Sequence, residues 1–488
     1  MVMGKSSTKK NIIYQMIYEI LIIILPFATS PYISRVFGAN GLGEYSYTYN
    51  IAGYFVLFAM LGIKNYGNRT IAKKRDNVDA LNKNFSNILA IHLIVSVLCV
   101  LAYILYVQLF AEMKTYAAIQ TIYVISAVFD ISWFYFGIEK FKMTVIRSSI
   151  IKILNVAFIF IFVRENTDLW KYCLIMALGM LIGQVVLWIP LKRYVRIVKP
   201  DLKEMKIHVK PLIILFIPII AISLYRFMDK IMIGMMSTKT QLGYYENAEK
   251  VCNIPITIIA SFGTVMLPKI SNMISKSNDK LSGKYMKISM RYIMLVALAL
   301  AFGLAGISDT FSVVFWGKGF VACGNIIKLL SVTIPFIAFA NILRTQYLIP
   351  YQMDKEYLIS VILGAVVNIV VNYLLIPIYG GIGAAIGTIS AEIIVCLSQS
   401  VLVMRKIPMK ECISQFIMFV PVGIVMFVGV YQTSKLLDIN ISSLFIQVIA
   451  GVVIYGIFSL IFLYFIKDEI FVKFLHNLKK KLGKGVKL

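Results

Sequence analysis

Charge is what this chain has least of. Only 15% of its 488 residues are Asp, Glu, Lys or Arg, against about 25% in soluble domains, which excludes a water-exposed globular surface. Acidic residues are the scarcer sign, 23 against 49 basic ones. Cysteine is sparse too. The six, at 99, 173, 252, 323, 396 and 412, show no paired spacing, so neither a disulfide framework nor a metal site is expected. Long polar segments are missing as well. The longest connections, around 191–210 and 269–291, are basic and too polar to build a core. No soluble catalytic domain fits between the apolar runs, and any chemistry must happen in or beside a membrane.

Apolar runs fill the rest. Hydrophobic residues make up 59% of the chain, with mean hydropathy +0.82, in runs of roughly 18–25 residues that can cross a bilayer core. Fourteen such spans can be drawn, giving an all-α membrane protein. The net charge of +26 then has a topological meaning. Lys and Arg crowd into alternate connections, which is the positive-inside asymmetry and places both termini in the cytoplasm. These charges also suit anionic membrane lipids; no nucleic-acid partner is expected. The first apolar run continues to Phe37 without a small-residue cleavage motif, so it is expected to stay as a span and not to act as a signal peptide.

Two stretches are alike: "GLGEYSYTYN" at 41–50 and "QLGYYENAEK" at 241–250 share Leu-Gly-x-Tyr. Upstream, "SRVFG" (34–38) parallels "DKIMIG" (229–234). The sixth and twelfth spans also carry matching glycine pairs, Gly179/Gly183 and Gly383/Gly387, whose four-residue spacing lets a neighbouring helix approach. The expected plan is two parallel six-helix lobes around a central cavity, with residues 1–200 as the N-lobe and 201–406 as the C-lobe. Residues 407–488 add two helices and a basic tail. An even number of spans per lobe makes the repeat parallel, about an axis along the membrane normal. Pro26, Pro31, Pro218, Pro255, Pro335 and Pro421 interrupt spans, and hinges are expected at the first and seventh.

Ionisable residues inside spans cost a few kcal/mol and so mark cavities or partners. The densest group is "SLYRFMDKIMIG" in the seventh span. Arg226 and Lys230 share a face there, and Asp229 is in reach of Arg226. An Arg fork beside a Lys ammonium suits a phosphate or diphosphate; the competing reading is an Arg226–Asp229 ion pair with Lys230 reaching the outer interface. Arg35 joins the group as an outer-end cation or a headgroup anchor. Glu19, Asp130, Glu392 and His92 are candidates for a coupling proton or ion, or for structural pairing. At the outer mouth stand Glu246, Glu249 and Lys250, with Glu246–Lys250 an ordinary i,i+4 pair. Asn155, Asn368 and Asn372 are expected to tie helices together.

The stretch "FDISWFYFGIEKFKMTVIRSSIIKILN" (129–155) resembles the polysaccharide transporter branch of the multidrug/oligosaccharidyl-lipid/polysaccharide (MOP) exporter superfamily, through Asp130, Trp133, Phe134, Gly137 and Glu139. "SPYISRVFGANGLGEYSY", "DKIMIG…LGYYENAEK" and "NYLLIPIYGGIGAAIGTISAE" look like further signatures of it. The resemblance implies no enzyme and no cofactor. It implies a multi-pass flippase of the bacterial cytoplasmic membrane that moves undecaprenyl-pyrophosphate-linked oligosaccharide units for capsule, O-antigen or exopolysaccharide assembly. Alternating access would drive the movement, coupled to a proton or sodium gradient, in company with a polymerase and glycosyltransferases. The alternatives are a cation-coupled multidrug exporter, a membrane polymerase or ligase, and a non-transporting scaffold. Net basic span charges argue against the first, short external connections against the second, and the mid-helix charges against the third.

Overall fold

A computed structural model describes residues 8–276, 279–468 and 471–472, with side chains from residue 24 onward except 221, 222, 224–226 and 277–280. The described residues are helical, without strands. The helices in chain order are α1 (Thr8–Met60), α2 (Ile63–Lys74), α3 (Val78–Leu109), α4 (Lys114–Val128), α5 (Ser132–Gly137), α6 (Phe141–Phe162) and α7 (Leu169–Val186). After a basic connection come α8 (Leu202–Met236), α9 (Lys239–Ser275), α10 (Asp279–Trp316), α11 (Val321–Ser331), α12 (Thr333–Leu343), α13 (Asp354–Tyr379) and α14 (Gly381–Val403). The last three are α15 (Met409–Met418), α16 (Val420–Leu436) and α17 (Ile441–Phe465).

Twelve helices among the described residues are long and apolar enough to cross a membrane. The sequence reading of fourteen differs in two places. One helical stretch, Ile24–Lys74, holds 51 residues, about 75 Å at the helical rise, so it cannot be a single crossing. It breaks at Gly38, whose φ of 62° and ψ of −175° only glycine adopts readily. The second place is α8, which carries the expected seventh span. Prolines do not set these breaks uniformly. The helix runs through Pro26, Pro31 and Pro218, whereas the tenth and thirteenth expected spans are interrupted at Val332 and Phe419, just before Pro335 and Pro421. There the missing proline N–H falls in a first helical turn, where it has no intrahelical partner to lose.

The chain divides into two compact units. The first is Met1–Asn247 with Ala365–Gly387, the second Ala248–Gly364 with Thr388–Leu488. The boundary near 200 expected from the repeat is a division by span order, and these units are a division by packing.

In the first unit the core gathers around Trp133, Phe134 and Tyr135, all fully buried. Phe85 of α3 stacks on Trp133 at 5.5 Å. Asp130 accepts from the Ser132 amide at 2.9 Å, which supports the start of α5. Glu139, at a positive φ of 59°, meets Arg75 at 2.6 Å. The 129–139 motif is therefore a structural clamp between the ends of α2, α3 and α5. The connection before α8 is held in turn by a polar row on α3. Asn82, Ser86 and Asn87 accept from the amides of Arg196, Val198 and Asp201, each at 2.9 Å.

The second unit packs around α10, which touches α11, α12, α15, α16 and α17. Arg291 of α10 pairs with Asp468 beyond α17 and donates to Gln415 of α15 at 2.6 Å. Tyr292 donates to the same Asp468 carboxylate at 2.7 Å. An apolar groove of about 470 Å³ lies between α10, α16 and α17, edged by Gly303, Met426, Gly451 and Tyr455.

Candidate functional site

Within the first unit the two Leu-Gly-x-Tyr motifs pack against each other. Each begins a helix: one starts at Ala39 beyond the Gly38 break, the other at Lys239. A Cβ built on Gly43 would lie 1.7 Å from the Lys239 carbonyl oxygen, and one on Gly243 would lie 1.9 Å from the Ala39 carbonyl oxygen. The contact is reciprocal, with a constant offset of 200 between partners. Residues on the axis meet their own equivalents: Thr240 Oγ1 reaches Asn40 Oδ1 at 3.5 Å, and Ser46 Oγ donates to Glu246 Oε2 at 2.8 Å. A two-fold axis of this kind is what a parallel repeat requires.

Polar side chains surround the crossing. Lys230 Nζ lies 3.3 Å from Glu246 Oε2, each side chain 15% exposed. Asp229, 3% exposed, accepts from Tyr245 Oη at 3.0 Å and from Asn372 Nδ2 at 2.6 Å. Asn372 Nδ2 also reaches Asn368 Oδ1 at 3.2 Å, so α13 is tied to α8 as the amides suggested. Asn247 Nδ2 donates to Ser34 Oγ at 3.0 Å. A tyrosine stack borders the group: Tyr45 on Tyr49 at 5.5 Å, Tyr49 on Tyr123 at 4.9 Å, and Tyr172 edge-on to Tyr45 at 4.7 Å.

Of the residues singled out by sequence, Lys230, Asp229 and Glu246 come together. The Arg226 and Glu19 side chains lie outside the described residues. Arg35 is exposed just before the Gly38 break, Glu249 is half-buried, Lys250 is exposed, and Glu392 is half-buried in the second unit. Asp130 is buried, with Lys64 Nζ at 3.7 Å. His92, fully buried, has neither ring nitrogen in a hydrogen bond of ordinary geometry; Asp130 and the Ala127 carbonyl are polar groups near it. No group of three or more His, Cys, Asp or Glu that could hold a metal occurs among the described residues. Sequence reading took Tyr45 and Tyr245 only as marks of the repeat, and missed Ser46 and the tyrosine stack. The available signal was the Tyr-rich "EYSYTYN" opening a transmembrane helix, and it gives no partner.

The fold has known counterparts. It matches the lipid II flippase MurJ in an inward closed conformation with a TM-score of 0.76, at 17% identity over 94% of this chain and all of that one. It matches an inward-facing multidrug resistance MATE family transporter of the MOP superfamily with a TM-score of 0.58, at 14% identity over 84% of this chain and 97% of that one. The architecture is the all-helical fold that these two structures share. In sequence, residues 8–274 match the family described as polysaccharide biosynthesis protein. The chain belongs to that family, as a multi-pass protein of the cytoplasmic membrane. A relative, a putative O-antigen transporter of Shigella dysenteriae, is 22% identical over 399 residues, which is 80% of this chain and 98% of that protein.

Proposed function

We propose that the protein is a flippase for lipid-linked glycans, carrying undecaprenyl-pyrophosphate-linked oligosaccharide units from the inner to the outer leaflet. Alternating access moves them, and their destination is capsule, O-antigen or exopolysaccharide. The observation that carries the reading is the reciprocal glycine crossing. Two equivalent helix starts lie main chain against main chain at Gly43 and Gly243, bordered by polar contacts of Asn40 with Thr240, Ser46 with Glu246 and the Lys239 ammonium with the Tyr47 ring, a boundary that can part and re-form without unpacking an apolar core. The family match and the O-antigen transporter relative supply the substrate class. The diphosphate is assigned to Arg226 with Lys230, and a coupling proton to the His92–Asp130 neighbourhood.

The test is export of a lipid-linked glycan in a bacterial host lacking its own flippase. Wild-type chain restores surface glycan; Arg226→Ala and Lys230→Ala lower it at unchanged protein abundance. Unchanged export in both variants would remove the assigned contact, and no restoration by the wild type would remove the function.

A further inference from the structure

Within the second unit, two spans treat their polar residues in opposite ways. On α17, every exposed side chain from Phe445 to Phe465 is Phe, Ile, Val, Leu or Tyr. The polar Gln447 and Ser459 of that stretch turn inward, at 1% and 5% exposed, as a lipid-facing helix requires. The span α9 inverts this pattern. Asn253, Thr257, Ser261 and Thr264 are all exposed, and their spacing of four, four and three residues puts them on one helix face over about 16 Å. Ile258 and Val265 are exposed along one edge of this stripe, while Val251, Ile259 and Ile270 are buried on the far side. No Asp, Glu, Lys, Arg or His lies between Lys250 and Lys269. An amide facing hydrocarbon would have no hydrogen-bond partner, so this face meets a polar medium inside the span.

The hydroxyls are set as acceptors. Thr257 Oγ1 donates to the Asn253 carbonyl at 2.8 Å, Ser261 Oγ to the Ile258 carbonyl at 2.6 Å, and Thr264 Oγ1 to the Ser261 carbonyl at 2.7 Å. Each hydroxyl hydrogen is thus taken up by the helix itself, and the oxygen lone pairs remain for a partner. Pro268 lies inside α9, four residues beyond Thr264, and brings no N–H to the Thr264 carbonyl. The stripe therefore ends on a main-chain acceptor whose usual helical donor is missing. Asn253 supplies the amide donors at the other end.

We propose that this face of α9 is the contact surface for the sugar part of the substrate, an uncharged, hydroxyl-rich oligosaccharide. The proposal rests on the flippase reading and gives the glycan a surface of its own, apart from the cations assigned to the diphosphate. Lone-pair acceptors suit a partner with many O–H donors. They do not suit a diphosphate, whose oxygens only accept, and a stripe without ionisable groups gives a charged partner nothing to pair with. Neutral hydrogen-bonding positions at about one-turn intervals offer a sugar chain equivalent partners at successive depths. The chain can then shift by a turn and keep its number of bonds, which is what passage through a span demands.

Ser261→Cys, a small change on the stripe, is the reporter, in a chain with its native cysteines replaced and held in phosphatidylcholine nanodiscs. A charged thiol reagent is expected to label it and to leave Val452→Cys, on the apolar face of α17, unlabelled. The probe is the lipid-linked oligosaccharide that accumulates in the flippase-deficient host. It is expected to protect Ser261→Cys, whereas undecaprenyl diphosphate, which lacks the sugars, is not. Adding Asn253→Leu and Thr257→Val to the reporter should raise the protecting concentration about tenfold, the effect of losing two neutral hydrogen bonds. Should that chain fail to fold, Thr257→Val alone, which keeps the side-chain shape, must still raise it measurably. Absence of labelling overturns the proposal by assigning the face to lipid, and labelling without protection overturns it by leaving only water there. Equal protection by undecaprenyl diphosphate, equal protection in the variants, or protection by the cation tetraphenylphosphonium in place of the glycan also overturns it. If the wild type restores surface glycan while Ser261→Cys stays unprotected, the sugar surface fails and the function stands. If the wild type restores no surface glycan, the function itself fails, and this assignment with it.

Discussion

Gly43 and Gly243 each lie against a main-chain carbonyl of the other helix start, closer than any Cβ tolerates. Alanine at either position must push the helices apart, since a carbonyl in a helical first turn has no rotamer to escape into. Gly43→Ala is expected to destabilise this packing by about 1–3 kcal/mol, the usual scale of overpacking. The measurements are the unfolding temperature of the purified protein and outside labelling of Ser46→Cys. Both should shift, the first down and the second up, and an unchanged pair would show that the contact is incidental. His208 offers a second test, outside the spans. Its Nδ1 lies 2.6 Å from Tyr66 Oη; burial pushes its pKa below the ordinary 6.5, and Glu204 offsets this in part. The unfolded chain therefore binds more protons near that value, so His208 contributes stability above pH 6.5 that is lost as pH falls toward its lowered folded value. Unfolding temperature should drop on acidification below pH 6.5, and His208→Gln should flatten the part of that drop due to this residue.

At the scale of elements, legibility depended on whether the partner lay nearby in sequence. The apolar runs were readable because span length is an intrinsic property. The row on α3 was not: Asn82, Ser86 and Asn87 read as the polar start of a span, and the amides they accept from lie more than a hundred residues away. Asn87 bears most, accepting from Asp201 and donating to Glu204 Oε2 at 3.1 Å. Asn87→Leu would leave the Asp201 amide unpaired and cost about 1–3 kcal/mol, seen as a lower unfolding temperature and faster proteolysis of the 191–201 connection. On α6, Thr144, Arg147, Ser148, Ile151, Lys152 and Asn155 line a cavity toward α7; this stripe was readable and passed over, because Arg147 and Lys152 look like part of the basic inner connection when charges are counted loop by loop. Helical periodicity, not charge count, separates them from it. The family-like 129–139 motif was legible as a signature, but its role as a clamp needed the positions of Arg75 and Phe85.

For the molecule as a whole, three identities in ten residues pointed to a repeat, and the structure supplies what identity could not: equivalent residues in contact across one axis. If the proposed transport cycle opens the lobes, this axis is where they part, and a bond placed across it should arrest the cycle. Residues 40 and 240 suit the purpose, since their side chains approach to 3.5 Å and neither takes part in the polar group around Asp229. In a chain with its native cysteines replaced, Asn40→Cys/Thr240→Cys is expected to cross-link under mild oxidant, provided the main chains lie within disulfide reach. Surface glycan export should then fall in proportion to the cross-linked fraction and recover on reduction, while each single variant exports normally. Full export by the fully cross-linked protein would mean that the crossing stays closed throughout, and the moving boundary would have to be sought elsewhere in the chain.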